Sequence, residues 1–267
     1  MNALTFDVEE WFHVSSLKKE CEGKWDALES RVAGQTRKVL GILDEYDVEA
    51  TFFVLGCVAE KNPELVREVA EKGHEVGSHG FSHKPVCEQT PAEFEEDLAK
   101  SLDAIESACG VRPISFRAPN FSITRDCLWA LDVLEKNGIT IDSSIYPSRI
   151  VHAKNVDAPQ GPYTLPNGLK EFPGPTTKIL GARIPYGGGV FFRMQPYWFT
   201  KHAIEKTNEN GEPAIIYIHP WELDPAHPKI ACNMKARIIH YALLQQTEEK
   251  FRQLIKDFEF KPLKEIF

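Results

Sequence analysis

The chain has 267 residues, 42% hydrophobic, 10% aromatic and 26% charged, with a net charge of −8 and an isoelectric point near 5.6. A chain of this size and composition can bury a large core, which excludes a disulfide scaffold, a fibre and a disordered tail. It has no basic stripe to neutralise phosphates and no run near ~18 apolar residues, which excludes a nucleic-acid partner and a transmembrane helix.

The start, Met1 to Asp7, has no basic segment and reaches an acid early. It does not read as an export signal, so a cytoplasmic setting is expected. The cysteines (Cys21, Cys57, Cys87, Cys109, Cys127 and Cys232) form no CxxC pair and are expected to be reduced. The apolar run Ala3–Val8 predicts the first strand, ending among Asp7, Glu9 and Glu10, and Ala50–Gly56 predicts the second. Asn62-Pro63-Glu64 opens a helix that stops at Gly73. Glu75–Ser78 predicts a third strand, running into Ser78-His79-Gly80-Phe81-Ser82-His83. Thr90-Pro91-Ala92-Glu93 is a capping box for a helix that stops at Gly110. Ile114–Ala118 predicts a fourth strand, carrying Arg117. A helix from Thr124 to Gly138 follows, then a fifth strand, Ile139–Asp142.

From Tyr146 to Pro196 the chain is rich in proline and glycine, with little helical period. This insert reads either as loops serving a site or as a structural excursion with short antiparallel strands. Helices at Tyr197–Asn208 and His240–Phe258 flank a sixth strand, Ala214–His219. Alternating strands and helices imply a parallel sheet, closed or nearly closed into an α/β barrel, in one domain over 1–267.

Such sheets gather their chemistry at the carboxyl ends of the strands, where Asp7, His79, Arg117, Asp142 and His219 all fall. His79 and His83, four apart on a helical turn, face one way and can share a metal. The HxxxH spacing alone is a weak signal. Asp7, Glu9 or Glu10 can complete a site of two histidines and one carboxylate that leaves a position for water. Pro185-Tyr186-Gly187-Gly188-Gly189-Val190 lacks the phosphate-loop pattern and is expected to expose backbone at the barrel mouth. Tyr186 and Arg193 beside it are candidate substrate contacts, and Trp221 is a candidate stacking surface for a sugar. His13 follows the acidic turn closely enough to line the site.

These segments resemble, in order, the five motifs of the polysaccharide deacetylases of the NodB-homology type, carbohydrate esterase family four. The motifs appear as Thr5-Phe6-Asp7-Val8-Glu9-Glu10, Ser78-His79-Gly80-Phe81-Ser82-His83, Arg117-Ala118-Pro119-Asn120-Phe121, Asp142-Ser143-Ser144 and Ile218-His219-Pro220-Trp221-Glu222. The chain looks most like the branch found beside exopolysaccharide and exosortase gene clusters. The resemblance implies a distorted (β/α)7–8 barrel and a metal-dependent N-deacetylase acting on a saccharide. It implies Asp7 as base, His219 as acid, Arg117 as the residue orienting the base and Asp142 as one tuning the acid. His79 and His83 match the metal ligands, with Zn²⁺ or another divalent transition metal as cofactor.

The family's usual metal carboxylate directly follows the base, where this chain has Val8. Glu9 is the expected replacement, ahead of Glu10. Asn120 stands where many members carry an aromatic residue. Its backbone N–H can still serve an oxyanion, and Asn120 and Phe121 are expected at the substrate. The rival readings are another amide hydrolase on the same scaffold, with or without metal, and a non-catalytic carbohydrate-binding relative.

Overall fold

A computed structural model describes residues 1–267. The strands are β1 (Asn2–Val8), β2 (Thr51–Val54), β3 (Glu75–Ser78), β4 (Ser115–Phe116), β5 (Ile141–Asp142), β6 (Tyr163–Thr164), β7 (Lys170–Glu171), β8 (Thr176–Ile179), β9 (Ala182–Pro185), β10 (Ile215–Ile218) and β11 (Phe260–Lys261). The helices are α1 (Lys18–Cys21), α2 (Val32–Tyr46), α3 (Gly56–Lys61), α4 (Pro63–Glu71), α5 (Pro91–Cys109), α6 (Ala130–Lys136), α7 (Gly189–Met194), α8 (Tyr197–Glu209), α9 (Met234–Tyr241) and α10 (Leu244–Asp257). No helix is long and apolar enough to cross a membrane.

Nine strands form one sheet in the order β10-β1-β2-β3-β4-β5-β7-β6, with β11 paired to the start of β1. Every ladder in it is parallel except β6 with β7. The sheet curls into the half-barrel of a (β/α)7–8 fold.

Side chains alternate between the two faces of a strand, and that period places the site. On β1, Leu4, Phe6 and Val8 enter the large core under the helices, with Val39 and Leu43 of α2 and Phe251 of α10. Ala3 faces the other way, inside the curl, with Phe53, Ile141 and Ile215. Thr5, Asp7 and Glu9 follow Ala3 on this inner face. On β10, Ile216 and Ile218 take the outer face, leaving Ile215, Tyr217 and His219 inside. Ser78 turns outward to Ser101 of α5, so the next residue, His79, points in.

Two local expectations differ. The helix expected from Thr124 begins as a single tight turn, Arg125–Cys127, and becomes α-helical only at Ala130. His79 to His83 is not helical: Gly80 and His83 both have positive φ, 76° and 56°. The loop, not a helical repeat, brings the two imidazoles to 5.5 Å between ring centroids. Of the two readings of the insert, short antiparallel strands are what forms, as β6–β7 and β8–β9. The end of the insert also reaches the site, because Gly188 pairs with Tyr217 beside β10.

Candidate active site

Asp7 and Arg117 form the inner floor. Arg117 Nη1 donates to Asp7 Oδ1 at 2.8 Å and to Thr5 Oγ1 at 2.8 Å. Its Nε and Nη2 donate to the carbonyl and hydroxyl of Ser143. The guanidinium lies 4.4 Å from the centre of the Phe53 ring and is fully buried. A planar donor fork held this completely fixes the direction of the carboxylate it touches.

Beside this pair, one ligand atom each of Glu9, His79 and His83 lies within 4.8 Å of the others, and all three residues are buried. His83 Nε2 is 2.7 Å from Glu9 Oε2. His79 Nδ1 donates to the carbonyl of Arg117 at 2.7 Å, which leaves the Nε2 lone pair bare. Burial lowers the His79 pKa to about 4, with Asp7 opposing, so the ring is neutral. Burial pushes the Glu9 carboxyl up, but His83, through charge and a hydrogen bond, and the charge of His219 outweigh it and hold the group below the usual carboxylate range. The indole N–H of Trp221 donates to Glu9 Oε1 at 3.3 Å. Glu10 turns away and accepts from Ser30 Oγ and the Arg31 N–H. Two imidazoles and one carboxylate, with a ligand atom of each within 4.8 Å of the others, fit a divalent transition metal.

His219 closes the third side. Its Nε2 is 3.9 Å from Asp7 Oδ2 and 3.8 Å from Glu9 Oε1. Its Nδ1 meets Glu222 Oε2 at 2.9 Å. Burial opposes a charge on the ring, but the Glu222 hydrogen bond and the charges of Glu222, Glu9 and Asp7 raise its pKa to about 9. Arg193 Nε donates to Glu222 Oε1 at 2.6 Å, and both residues are sealed from solvent. The other Arg193 nitrogens donate to the carbonyls of Ile239, His240 and Ala242.

Several expected residues sit elsewhere. Asp142 does not approach His219. Ile141 faces inward, so Asp142 faces outward, opposite Glu171 on β7. The carboxylate against His219 is Glu222, whose signal was its place three residues after a strand-ending histidine, on the next turn. Arg193 lies beneath the site, not at its mouth. Tyr186 is buried in the helix-side core. Trp221 is also buried, stacked on His240 with 4.5 Å between centroids, and offers no open face to a sugar. Phe121 is buried against Tyr146 and Tyr217, 4.9 Å from each. Asn120 is half-exposed at the rim, where its Oδ1 accepts from Ser15 Oγ at 2.6 Å. Asn120 and Phe121 have φ of 59° and 50°, consecutive left-handed residues of a kind that clusters at functional sites.

Residues 3–141, more than half of the chain, match the family described as polysaccharide deacetylase. This chain belongs to the polysaccharide deacetylase family. Residues 143–267 match a domain of unknown function, DUF3473. The chain is 29% identical over 120 residues to a peptidoglycan-N-acetylglucosamine deacetylase of Bacillus cereus, covering 40% of this chain and 44% of that one. It is 38% identical over 94 residues to a chitooligosaccharide deacetylase of Bradyrhizobium, covering 35% and 43%. The chain thus spans less than half the length of these relatives. Among solved structures, a family 4 carbohydrate esterase from Streptomyces lividans in complex with acetate superposes with a TM-score of 0.53 at 17% identity, over 98% of this chain and 90% of that one. A CE4 family pseudoenzyme from Bacillus anthracis superposes with a TM-score of 0.54 at 14% identity, over 100% and 64%. At these identities the deacetylase fold is shared, and activity rests on the residues.

Proposed function

We propose that the protein is a metal-dependent hydrolase that removes the acetyl group from an N-acetylated amino sugar of a polysaccharide, an oligosaccharide or a lipid-linked saccharide precursor. The observation that carries this is the meeting of Glu9, His79 and His83 within 4.8 Å, beside Asp7 and His219. A divalent cation held by these three would supply Lewis-acid polarisation and a more acidic water. The protein's own groups handle the protons. Asp7, aimed by Arg117, accepts a proton from the attacking water through Oδ2, the oxygen not bonded to the arginine. His219, kept protonated by Glu222, donates from Nε2 to the departing amine. The left-handed Asn120 segment lines the rim where a backbone N–H can meet the developing oxyanion. Acetate and a free amino sugar leave.

The Bacillus anthracis neighbour is described as a pseudoenzyme, so the fold does not by itself imply turnover. Asp7, Arg117 and His219 all stand in this chain, which favours catalysis over a binding relic. The test is to strip the protein of metal, titrate Zn²⁺ back by calorimetry and assay acetate release from N-acetylated sugars. We expect one site per chain, lost in His79→Ala and His83→Ala together with activity. A folded wild type that binds no metal would overturn the metal-dependent reading. Metal binding without acetate release from any sugar would leave a carbohydrate-binding relative.

A further inference from the structure

Single exposed apolar side chains are ordinary on a protein surface, but α9 gathers them on one face. Asn233 caps this helix, its side chain accepting from the N–H of Ala236 at 2.9 Å. Ala236 and His240, four apart, turn inward, Ala236 into the cluster of Trp11, Leu17 and Trp221. Met234 and Ile238, also four apart, turn outward and are 67% and 45% exposed. Leu243, just past the helix, is 38% exposed and stands in the left-handed region with φ of 59°. Cations flank this apolar face. Lys229, Lys235 and Arg237 are exposed, and none of them belongs to an ion pair. From Pro225 to Thr247 there is no Asp or Glu, in a chain whose net charge is −8. The inner side of the same helix borders the catalytic cavity, which Ile239 and His240 line together with Glu9 and His219. A helix of eight residues is about 12 Å long, far too short to cross a hydrocarbon layer of about 30 Å. Its length and its pattern suit a helix lying flat where apolar chains meet charged headgroups.

We propose that α9 is a docking surface for an anionic lipid bilayer. Met234, Ile238 and Leu243 enter the boundary between headgroups and acyl chains, and Lys229, Lys235 and Arg237 meet the lipid phosphates. The charges decide the occupant. An apolar protein partner would leave three cations unmatched, and two copies of a chain carrying −8 repel one another. An acidic bilayer supplies both the apolar layer and the negative charge. Docked in this way, the catalytic cavity lies beside the lipid surface, where a saccharide carried on a lipid presents its sugar. That choice among substrates rests on the deacetylase reading, whereas the docking does not.

The test is co-sedimentation of the Zn²⁺-loaded protein with vesicles of phosphatidylcholine, alone or mixed with phosphatidylglycerol. We expect binding to the mixed vesicles that salt weakens, and none to phosphatidylcholine alone. Met234→Ser combined with Ile238→Ser should weaken this binding by about tenfold or more. Lys235→Gln and Arg237→Gln should each weaken it about fivefold. All four side chains are exposed, so the variants should keep the wild-type melting temperature. Val111→Ser, at a comparably exposed apolar residue before β4, should bind as the wild type does. A wild type that ignores the mixed vesicles, or a double serine variant that binds them equally well, would overturn the docking surface. A wild type that ignores vesicles but dimerises through Met234 and Ile238 would make this face a contact between two copies instead. Acetate release from a glycolipid bearing N-acetylglucosamine in the mixed vesicles is then compared with release from the free sugar. The ratio of kcat/KM should exceed unity and fall in the double serine variant. A ratio of unity would overturn the lipid-linked substrate and leave the docking. Vesicle binding with no acetate released from any sugar would overturn the deacetylase reading alone.

Discussion

At the scale of single residues, the site is organised by which atom each polar group has already spent. His79 spends Nδ1 on a carbonyl, His219 spends Nδ1 on Glu222 and Asp7 spends Oδ1 on Arg117. What remains free is one Nε2, another Nε2 and one Oδ2, all facing the same space. Glu222→Gln tests this arrangement. The amide keeps the shape but not the charge that holds His219 protonated, and it leaves Arg193 buried without its anion. We expect kcat to fall on the order of 100-fold and the melting temperature to drop, with Zn²⁺ stoichiometry retained. Retained kcat would remove Glu222 from the acid's support. The sequence made Asp7, His79, Arg117 and His219 legible because each stands at a strand end, and His83 legible by its spacing from His79. It did not show that Glu222 takes the place expected of Asp142. That follows only from facing: from Ile141 inward, the next residue must point outward, and the partner three residues past His219 becomes visible once the turn is built.

At the scale of elements, the six apolar runs all became strands, with β4 and β5 shortened to two residues, whereas the two-residue ladders β6, β7 and β11 have no such run behind them. Short polar pairs such as Tyr163–Thr164 carry no periodicity for a sequence to reveal. The junction between the insert and β10 is tight. A Cβ on Gly188 would stand 2.1 Å from the Tyr217 ring, and the backbone there is extended, so the constraint is one of space. Gly188→Ala should destabilise by about 2–3 kcal/mol in denaturant titration, because Tyr217 can retreat only into Phe121 and Tyr146. Wild-type stability in that variant would mean that the bridge is looser than drawn. The β5–β7 ladder holds a second sensitive pair. Asp142 and Glu171 stand side by side, fully buried, each with one oxygen lacking a donor. Burial raises Asp142 to about 6 and, with the nearby Asp142 charge, raises Glu171 well above the carboxylate range. The pair therefore shares a proton at neutral pH. Both shifts are upward, so their contribution to stability is complete below the unfolded values near pH 4 and is lost as pH rises through the folded ones. Glu171→Gln should flatten this part of the stability–pH curve. An unchanged slope would show that the proton is not held there.

At the scale of the molecule, we propose that the two family-matched stretches are one folding unit. β1 pairs with β2 from the first stretch and with β10 and β11 from the second. The ligand triad and Asp7 come from residues 3–141, while His219, Glu222 and Arg193 come from 143–267. A fragment ending at residue 141 would leave Leu4, Phe6 and Val8 without Ile216, Ile218 and Phe251. It should show no cooperative thermal transition, and a sharp one would establish two independent units. The alternation along β1 also bears on how such a chain can diverge. Deleting or inserting one residue before Glu9 would turn three apolar side chains into the curl and drive the carboxylates into the oily layer beneath the helices. A shift of two would keep the faces but slide the ligand by about 7 Å along the strand. Lineages descended from this protein can therefore lengthen or shorten the segment beyond Trp11 and so remodel what they recognise. The strand behind it can change letters but not length.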